Sequence, residues 1–268
     1  MRPEPLTSNF QHPVITSRQH PLCKLVRSLH SSKGRRKENL FAVEGGNGVS
    51  AALGARWMLQ RLIVCDDEIG DEWRQLAQRQ NIEVQTVSPE ILDYLSDAQT
   101  APDVIALAKL PATSSTRMDG LTLVLDGIGD PGNVGTLIRT ADAVGATQVI
   151  CIENCSDAWA PKVVRASAGS VFHLPPTQLE ADELLTKMRD ENVPIVAAFA
   201  HGGTSCFEYS WPTQCALVLG HETRGVSTEL ESAATARVTI PMFGRAESLN
   251  VANAGAVLMY AWRQKSGD

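Results

Sequence analysis

LVLDGIGDPGNVG, residues 123–135, joins an apolar run to a helical pattern through glycines at 127, 129 and 132. The spacing Gly127-x-Gly129-x-x-Gly132, after a strand-like run (121–125) and before a helical one (134–144), is that of a dinucleotide-binding turn. A second run, 148–152, ends at Glu153, about where such folds place a ribose-binding carboxylate. The neighbours argue otherwise: Asp126 and Asp130 would set carboxylates beside a diphosphate, and Pro131 removes a backbone N–H donor. The glycines therefore read as turn formers between a strand and a helix.

Working outward, apolar strand patterns recur near 121–125, 148–152, 171–174, 195–199, 215–219 and 237–241, with helical patterns between most of them and a last helix over 249–264. Short apolar strands covered by helices predict an α/β fold with a mostly parallel sheet buried on both faces. Upstream, helix, strand, helix, strand, helix, strand over 21–30, 40–44, 49–54, 59–65, 71–79 and 82–87 predicts a smaller α/β unit. The small polar residues of PATSST (111–116) mark a break. The expected division is residues 1–112, a linker at 113–120, and a second domain at 121–268.

At 268 residues, 43% hydrophobic and 20% charged, the chain reads as globular, neither disordered nor membrane-spanning. Its N-terminal residues lack an apolar signal core, which predicts a cytoplasmic protein. Six scattered cysteines read as buried thiols, and His173, His201 and His221 lack metal-spaced partners, so no metal is assigned. Charge is uneven. Residues 1–40 hold eight cations against two acids, an excess of six in a chain whose net charge is −6, so the remainder carries about −12. A basic segment on an acidic body points to a polyanionic partner. The candidate contacts are Arg18, Lys24, Arg27, Lys33, Arg35, Arg36 and Lys37.

Ligands of parallel sheets bind beyond the carboxyl ends of the strands, here residues 126–133, 220–225 and 241–250. On the helix after 133, Val134, Leu137, Ile138, Ala141 and Val144 share one face, whereas Gly135, Arg139 and Asp142 gather opposite, so Arg139 points away from the core. Gly220 ends the fifth strand, where a ligand can approach backbone, and Glu222 can accept from hydroxyls. Ser248 is a natural N-cap for the last helix, and Asn250 and Asn253 share its polar face.

The three loops together resemble the motifs of the SpoU (TrmH-type) branch of the SPOUT RNA methyltransferases. DPGNVGTLIRTADAVGA (130–146) is similar to the first, LVLGHETRGVS (217–227) to the second and IPMFGRAESLNVANAGAVLMY (240–260) to the third. KVVRASAGSVFHLP (162–175) resembles a connecting segment. Residues 15–45 resemble, less strongly, the ribosomal-protein-L30e-like RNA-binding domain that precedes the catalytic domain in many members. The resemblance implies methyl transfer from S-adenosylmethionine to a ribose 2′-OH of structured RNA, ribosomal most of all, by a homodimer with a trefoil-knotted α/β domain. It also implies a cofactor resting on main chain around Leu219, Gly220, Ile240, Leu249 and Asn250, and a polar set of Asn133, Arg139, Glu222, Ser248 and Asn250, with Arg139 assisting deprotonation or stabilising the alkoxide.

Two departures stand out. The second motif usually has a small or amide residue before the glutamate and a glycine after it, where this chain has His221 and Thr223, with Arg224 next. The basic residue expected after VEG (43–45) is replaced by Gly46-Asn-Gly48. A transfer RNA substrate and a non-catalytic RNA-binding or ribosome-assembly factor remain the alternatives. A nucleotide-dependent oxidoreductase conflicts with the third motif, and the chain lacks a G-x-S-x-G hydrolase elbow.

Overall fold

The computed structural model describes residues 13–112 and 118–265. Its first part runs α1 (Pro21–Ser28), α2 (Ser32–Glu38), β1 (Leu40–Glu44), α3 (Gly46–Gly54), β2 (Leu59–Cys65), α4 (Glu68–Gln80), β3 (Glu83–Val87), α5 (Pro89–Leu95) and β4 (Val104–Lys109). These form a four-stranded sheet of order β1-β4-β2-β3, antiparallel except for β2 with β3. The second part runs β5 (Leu121–Asp126), α6 (Pro131–Ala143), β6 (Gln148–Cys151), α7 (Pro161–Ala166), α8 (Ser170–His173), β7 (Thr177–Gln178) and α9 (Ala181–Asp190). It continues through β8 (Ile195–Ala198), β9 (Thr204–Ser205), β10 (Cys215–Gly220), α10 (Thr228–Ala233), β11 (Ala236–Thr239) and α11 (Val251–Lys265).

The second sheet has the order β7-β6-β5-β10-β8-β11-β9, and every pairing in it is parallel. All its strands therefore end on one rim. β5 and β10 are buried almost throughout because helices cover both faces, so they carry continuous apolar runs instead of alternation. No helix among the described residues is long and apolar enough to cross a membrane.

Several expectations change. Residues 171–173 belong to helix α8 and Leu174 is its C-cap, so the stretch is not a strand: Gly169 adopts φ +97°, Leu174 N–H donates to Ser170 C=O, and Phe172 is buried in the core. Three apolar residues in a stretch of four cannot distinguish a buried turn of helix from a strand. Helix α6 starts three residues earlier than expected. Asp130 is its N-cap, its Oδ1 accepting from Asn133 N–H at 2.9 Å, and Pro131 sits in the first turn, where its missing N–H costs nothing. Two of the three residues that argued against a diphosphate loop, Asp130 and Pro131, are thus the residues that begin the helix. Gly135 is not on an open face. α7 packs on it so closely that a Cβ there would lie 2.5 Å from Ala166 Cβ and 2.7 Å from Val163 O.

The two sheets share a core. Phe41 lies 4.9 Å from Trp159 and 6.3 Å from Phe172, and Trp57 lies 5.3 Å from each, ring centre to ring centre. Trp57 Nε1–H donates to Phe172 C=O at 2.9 Å. Such aromatic pairs contribute about 0.5–1.5 kcal/mol each beyond the area they bury. Two ion pairs flank this seam. Arg35, 2% exposed, donates to Asp157 Oδ2 from Nη2 at 2.6 Å, and Arg165 donates to the buried Glu44, which also accepts from Ser96 Oγ.

Candidate active site

The parallel register places Gly220 of β10 opposite Asp126 of β5, so the loops that follow them lie side by side. Asp126 is almost fully buried, and its Oδ2 accepts from Ser227 N–H at 2.6 Å, tying the start of the first loop to the exit of the second. Gly220 is required by contact: a Cβ there would meet backbone atoms of Gly225 and Val226 at 2.2 Å. The chain reverses tightly over residues 221–225. His221 N–H donates to Gly225 C=O at 3.0 Å, Gly225 N–H returns to His221 C=O at 2.8 Å, and Gly225 takes φ +74°.

Helix α11 approaches α6 and β10 through Gly255, where a Cβ would lie 2.3 Å from Leu137 and 2.8 Å from Leu219. This close packing sets the start of α11 against the start of α6. The N-cap of α11 is Asn250 and not Ser248: Asn250 Oδ1 accepts from Ala252 N–H at 2.9 Å, and its C=O accepts from Ala254 N–H at 2.8 Å. Ser248 is exposed and forms no hydrogen bond with a described side chain or backbone group. The Asn250 side chain then has its Nδ2 free to donate to Asn133 Oδ1 at 3.1 Å, while Asn133 Nδ2 donates to Glu222 Oε1 at 2.9 Å. Three loops far apart in sequence are thus joined by a chain of side-chain hydrogen bonds, Asn250 to Asn133 to Glu222. Donor and acceptor ends alternate along it, so its geometry fixes the orientation of both amides.

Beside this chain lies a cleft of about 730 Å³, within the range that holds a small organic ligand. Leu219, Gly220, Ile240, Leu249 and Asn250 all line it, together with His221, Glu222 and Ser248. Apolar walls with a few convergent polar groups fit a cofactor that has a flat heterocycle, a ribose and a charged tail. Arg139 is exposed on α6, forms no ion pair with a described residue and does not line this cleft. Its expected neighbour Asp142 instead faces His173 Nδ1 at 3.5 Å.

The basic candidates separate. Lys24, Lys33, Arg36 and Lys37 are exposed; Lys37 lies 3.1 Å from Glu38. Arg18 is exposed and stacks 4.5 Å above the Tyr94 ring, and Arg27 pairs with Asp97 at 3.0 Å. Arg35 drops out of the candidate contacts because it is buried in the inter-sheet pair with Asp157. The Gly45–Gly48 segment, where a basic residue was expected, also faces the second domain: it shares a cavity of about 460 Å³ with Arg165 and Ala168. Asp126 and Asp157 are the positions that sequence reasoning misses. Their partners are 101 and 122 residues away, and no local spacing signals them.

The sequence profile of the SpoU rRNA Methylase family matches residues 120–260, and that of the MRM3-like substrate binding domain matches residues 20–106. The chain is 30% identical to 23S rRNA (guanosine(2553)-2'-O)-methyltransferase RlmP of Bacillus subtilis, over 93% of this chain and 98% of that one. It is 32% identical to 23S rRNA (uridine(2479)-2'-O)-methyltransferase of Streptomyces viridochromogenes, over 94% and 92% of the two chains. Its fold matches that of the SpoU methyltransferase AviRb of Streptomyces viridochromogenes, solved in complex with AdoMet, with a TM-score of 0.83 at 27% identity over 92% of this chain and 98% of that one. With its motif loops converging on one cleft and both profiles matched in order, the chain belongs to the SpoU rRNA methylase family.

Proposed function

We propose that the protein methylates a ribose 2′-OH in ribosomal RNA, with S-adenosylmethionine as methyl donor, and works as a homodimer with the trefoil knot that the family resemblance implies. The observation that carries this reading is the Asn250–Asn133–Glu222 hydrogen-bond chain at the mouth of the cleft. The cofactor, when bound, supplies an electrophilic methyl group and leaves as a neutral thioether.

Leu219, Ile240 and Leu249 would hold its apolar parts, and the main chain at Gly220 and Asn250 its polar edges. Glu222 and Asn250, locked through Asn133, present fixed polar groups without reorganising as charge develops, which is where preorganised sites gain most. The attacking 2′-OH must lose its proton as the new O–C bond forms. Arg139 is permanently cationic, so it stabilises the developing alkoxide and does not itself take the proton. Arg139 lies outside the wall of its own cleft, and the proposed dimer would bring it to a reacting ribose.

The test pairs calorimetric binding of S-adenosylmethionine with mapping of 2′-O-methylation on ribosomal RNA fragments. Arg139→Ala should lower methyl transfer by about 10²-fold or more while cofactor affinity stays within about twofold, since Arg139 does not touch the cleft. Collapse of cofactor binding in that variant would make Arg139 structural. Wild-type protein that binds NAD and not S-adenosylmethionine would overturn the whole reading.

A further inference from the structure

His221 occupies the position where the second motif usually carries a small or amide residue. Its ring is not idle. Nδ1 lies 3.1 Å from Thr223 N, 3.1 Å from Thr223 Oγ1 and 3.4 Å from Arg224 N. A backbone N–H can only donate, so Nδ1 is the acceptor and the ring proton sits on Nε2. Glu222 Oε2, 4.0 Å from Nδ1, is beyond hydrogen-bond reach and does not compete for that nitrogen. The pattern is that of an Asx turn, in which an Asn or Asp side-chain oxygen accepts from the N–H two residues on. Nδ1 of histidine and Oδ1 of asparagine stand at the same remove from the backbone, one bond beyond Cγ, so the imidazole can replace the amide in this turn.

We infer that His221 is a positioning residue, which closes the 221–225 turn through Nδ1 and thereby holds Glu222 in register with Asn133 and Asn250. The turn is pinned elsewhere by the His221–Gly225 backbone pair and by Asp126 on Ser227 N–H, but neither of those contacts touches Thr223 or Arg224. Without the imidazole acceptor the N–H groups of Thr223 and Arg224 lose their internal partner, and the peptide next to Glu222 is free to rotate. Glu222 then no longer meets Asn133 at 2.9 Å, and misplacement of a polar group by about 1 Å at a reacting centre costs on the order of 10²-fold in rate. A side chain with the acceptor at the right distance should therefore restore the turn.

This inference rests on the methyltransferase reading for its rate readout but not for its geometry. The experiment uses the full chain with His221→Asn, His221→Ala and His221→Gln, the last placing its acceptor one bond too far. Methyl transfer to ribosomal RNA and amide hydrogen exchange at Thr223 and Arg224 are both measured. Expected are kcat within about twofold of wild type for His221→Asn and a loss of about tenfold or more for the other two. Exchange at both amides should be protected in wild type and His221→Asn and fast in the rest. An asparagine variant as impaired as the alanine one, or an alanine variant with unchanged kcat, would overturn the positioning role. A wild type that transfers no methyl group while the exchange pattern holds would refute the proposed reaction and leave the turn standing; equal exchange in all four proteins refutes the turn itself.

Discussion

Arg35 and Arg36 are neighbours in α2 with opposite environments. Arg35 is buried against Asp157, whereas Arg36 is exposed. Removing Arg35 leaves the half-buried Asp157 unpaired and takes a donor from the Leu29 C=O, so Arg35→Ala should lower unfolding stability by about 1–3 kcal/mol in urea titrations. Because Arg35 cannot reach a phosphate, that variant should leave the salt dependence of RNA binding unchanged. Arg36→Ala should do the reverse: stability near wild type, and a log–log salt slope shallower by about one. A slope that responds to Arg35 and ignores Arg36 would reverse the assignment. The cysteines differ in the same way. Burial pushes the Cys215 thiol up to about 12, so it stays protonated and unreactive near pH 8. The Cys151 thiol, hydrogen-bonding to half-buried Cys155, holds that sulfur below the usual thiol range. Iodoacetamide on the native protein should therefore modify Cys155 before the other five thiols, as peptide mapping would show. Spacing shows that residues 1–40 are basic, but which cation is exposed depends on a residue more than a hundred positions away.

Helices α6 and α7 meet at Gly135 with no room for a methyl group. Alanine in a helix interior normally gains about 1 kcal/mol over glycine. At Gly135 the collision with Ala166 and the Val163 carbonyl reverses that sign, and Gly135→Ala should cost about 1–3 kcal/mol. Gly54 of α3 has nothing within 4 Å of the same position, so Gly54→Ala should be neutral or stabilising by a few tenths of a kcal/mol, since it keeps the helical conformation with a better helix former. Thermal melts of the pair test the sign difference, and a stabilising Gly135→Ala would refute the close contact. Periodicity identifies the core face of α6, because Val134, Leu137, Ile138 and Ala141 repeat on it. It cannot see that a second helix covers Gly135 from behind. Strand β4 lies between β1 and β2, is buried almost throughout and shows no alternation, so its short apolar run alone does not separate strand from helix. The terminal helix is legible, but its cap is not, because Ser248 and Asn250 are both good N-caps and only the bond to Ala252 N–H distinguishes them.

The whole molecule is held by a seam that crosses both sheets. Two of the five tryptophans, Trp57 and Trp159, pack between Phe41 and Phe172, so in a chain whose other three tryptophans are replaced by phenylalanine, tryptophan fluorescence reports the seam, whereas far-UV dichroism reports both sheets. A shared core predicts coincident urea transitions by the two probes; a fluorescence change well before the dichroism change would mean that the domains separate first. The chemistry at the rim was legible as three motif loops, because each is continuous in sequence. The seam was not, since Phe41, Trp57, Trp159 and Phe172 have no common spacing and appear as ordinary core residues. The ion pair from α2 to Asp157 carries a consequence for what the protein accepts. Ser156, the residue before Asp157, is bonded through its N–H and Oγ to Ile128 and Gly129 in the first motif loop. Helix α2 and the first loop of the rim are thus tied together through two adjacent residues, Ser156 and Asp157, like two jaws of one calliper. On the proposed reading, a nucleic acid whose phosphates meet α2 while its target ribose meets the rim would have to match that opening or deform, so three-dimensional spacing, more than the letters of the strand, would select the substrate.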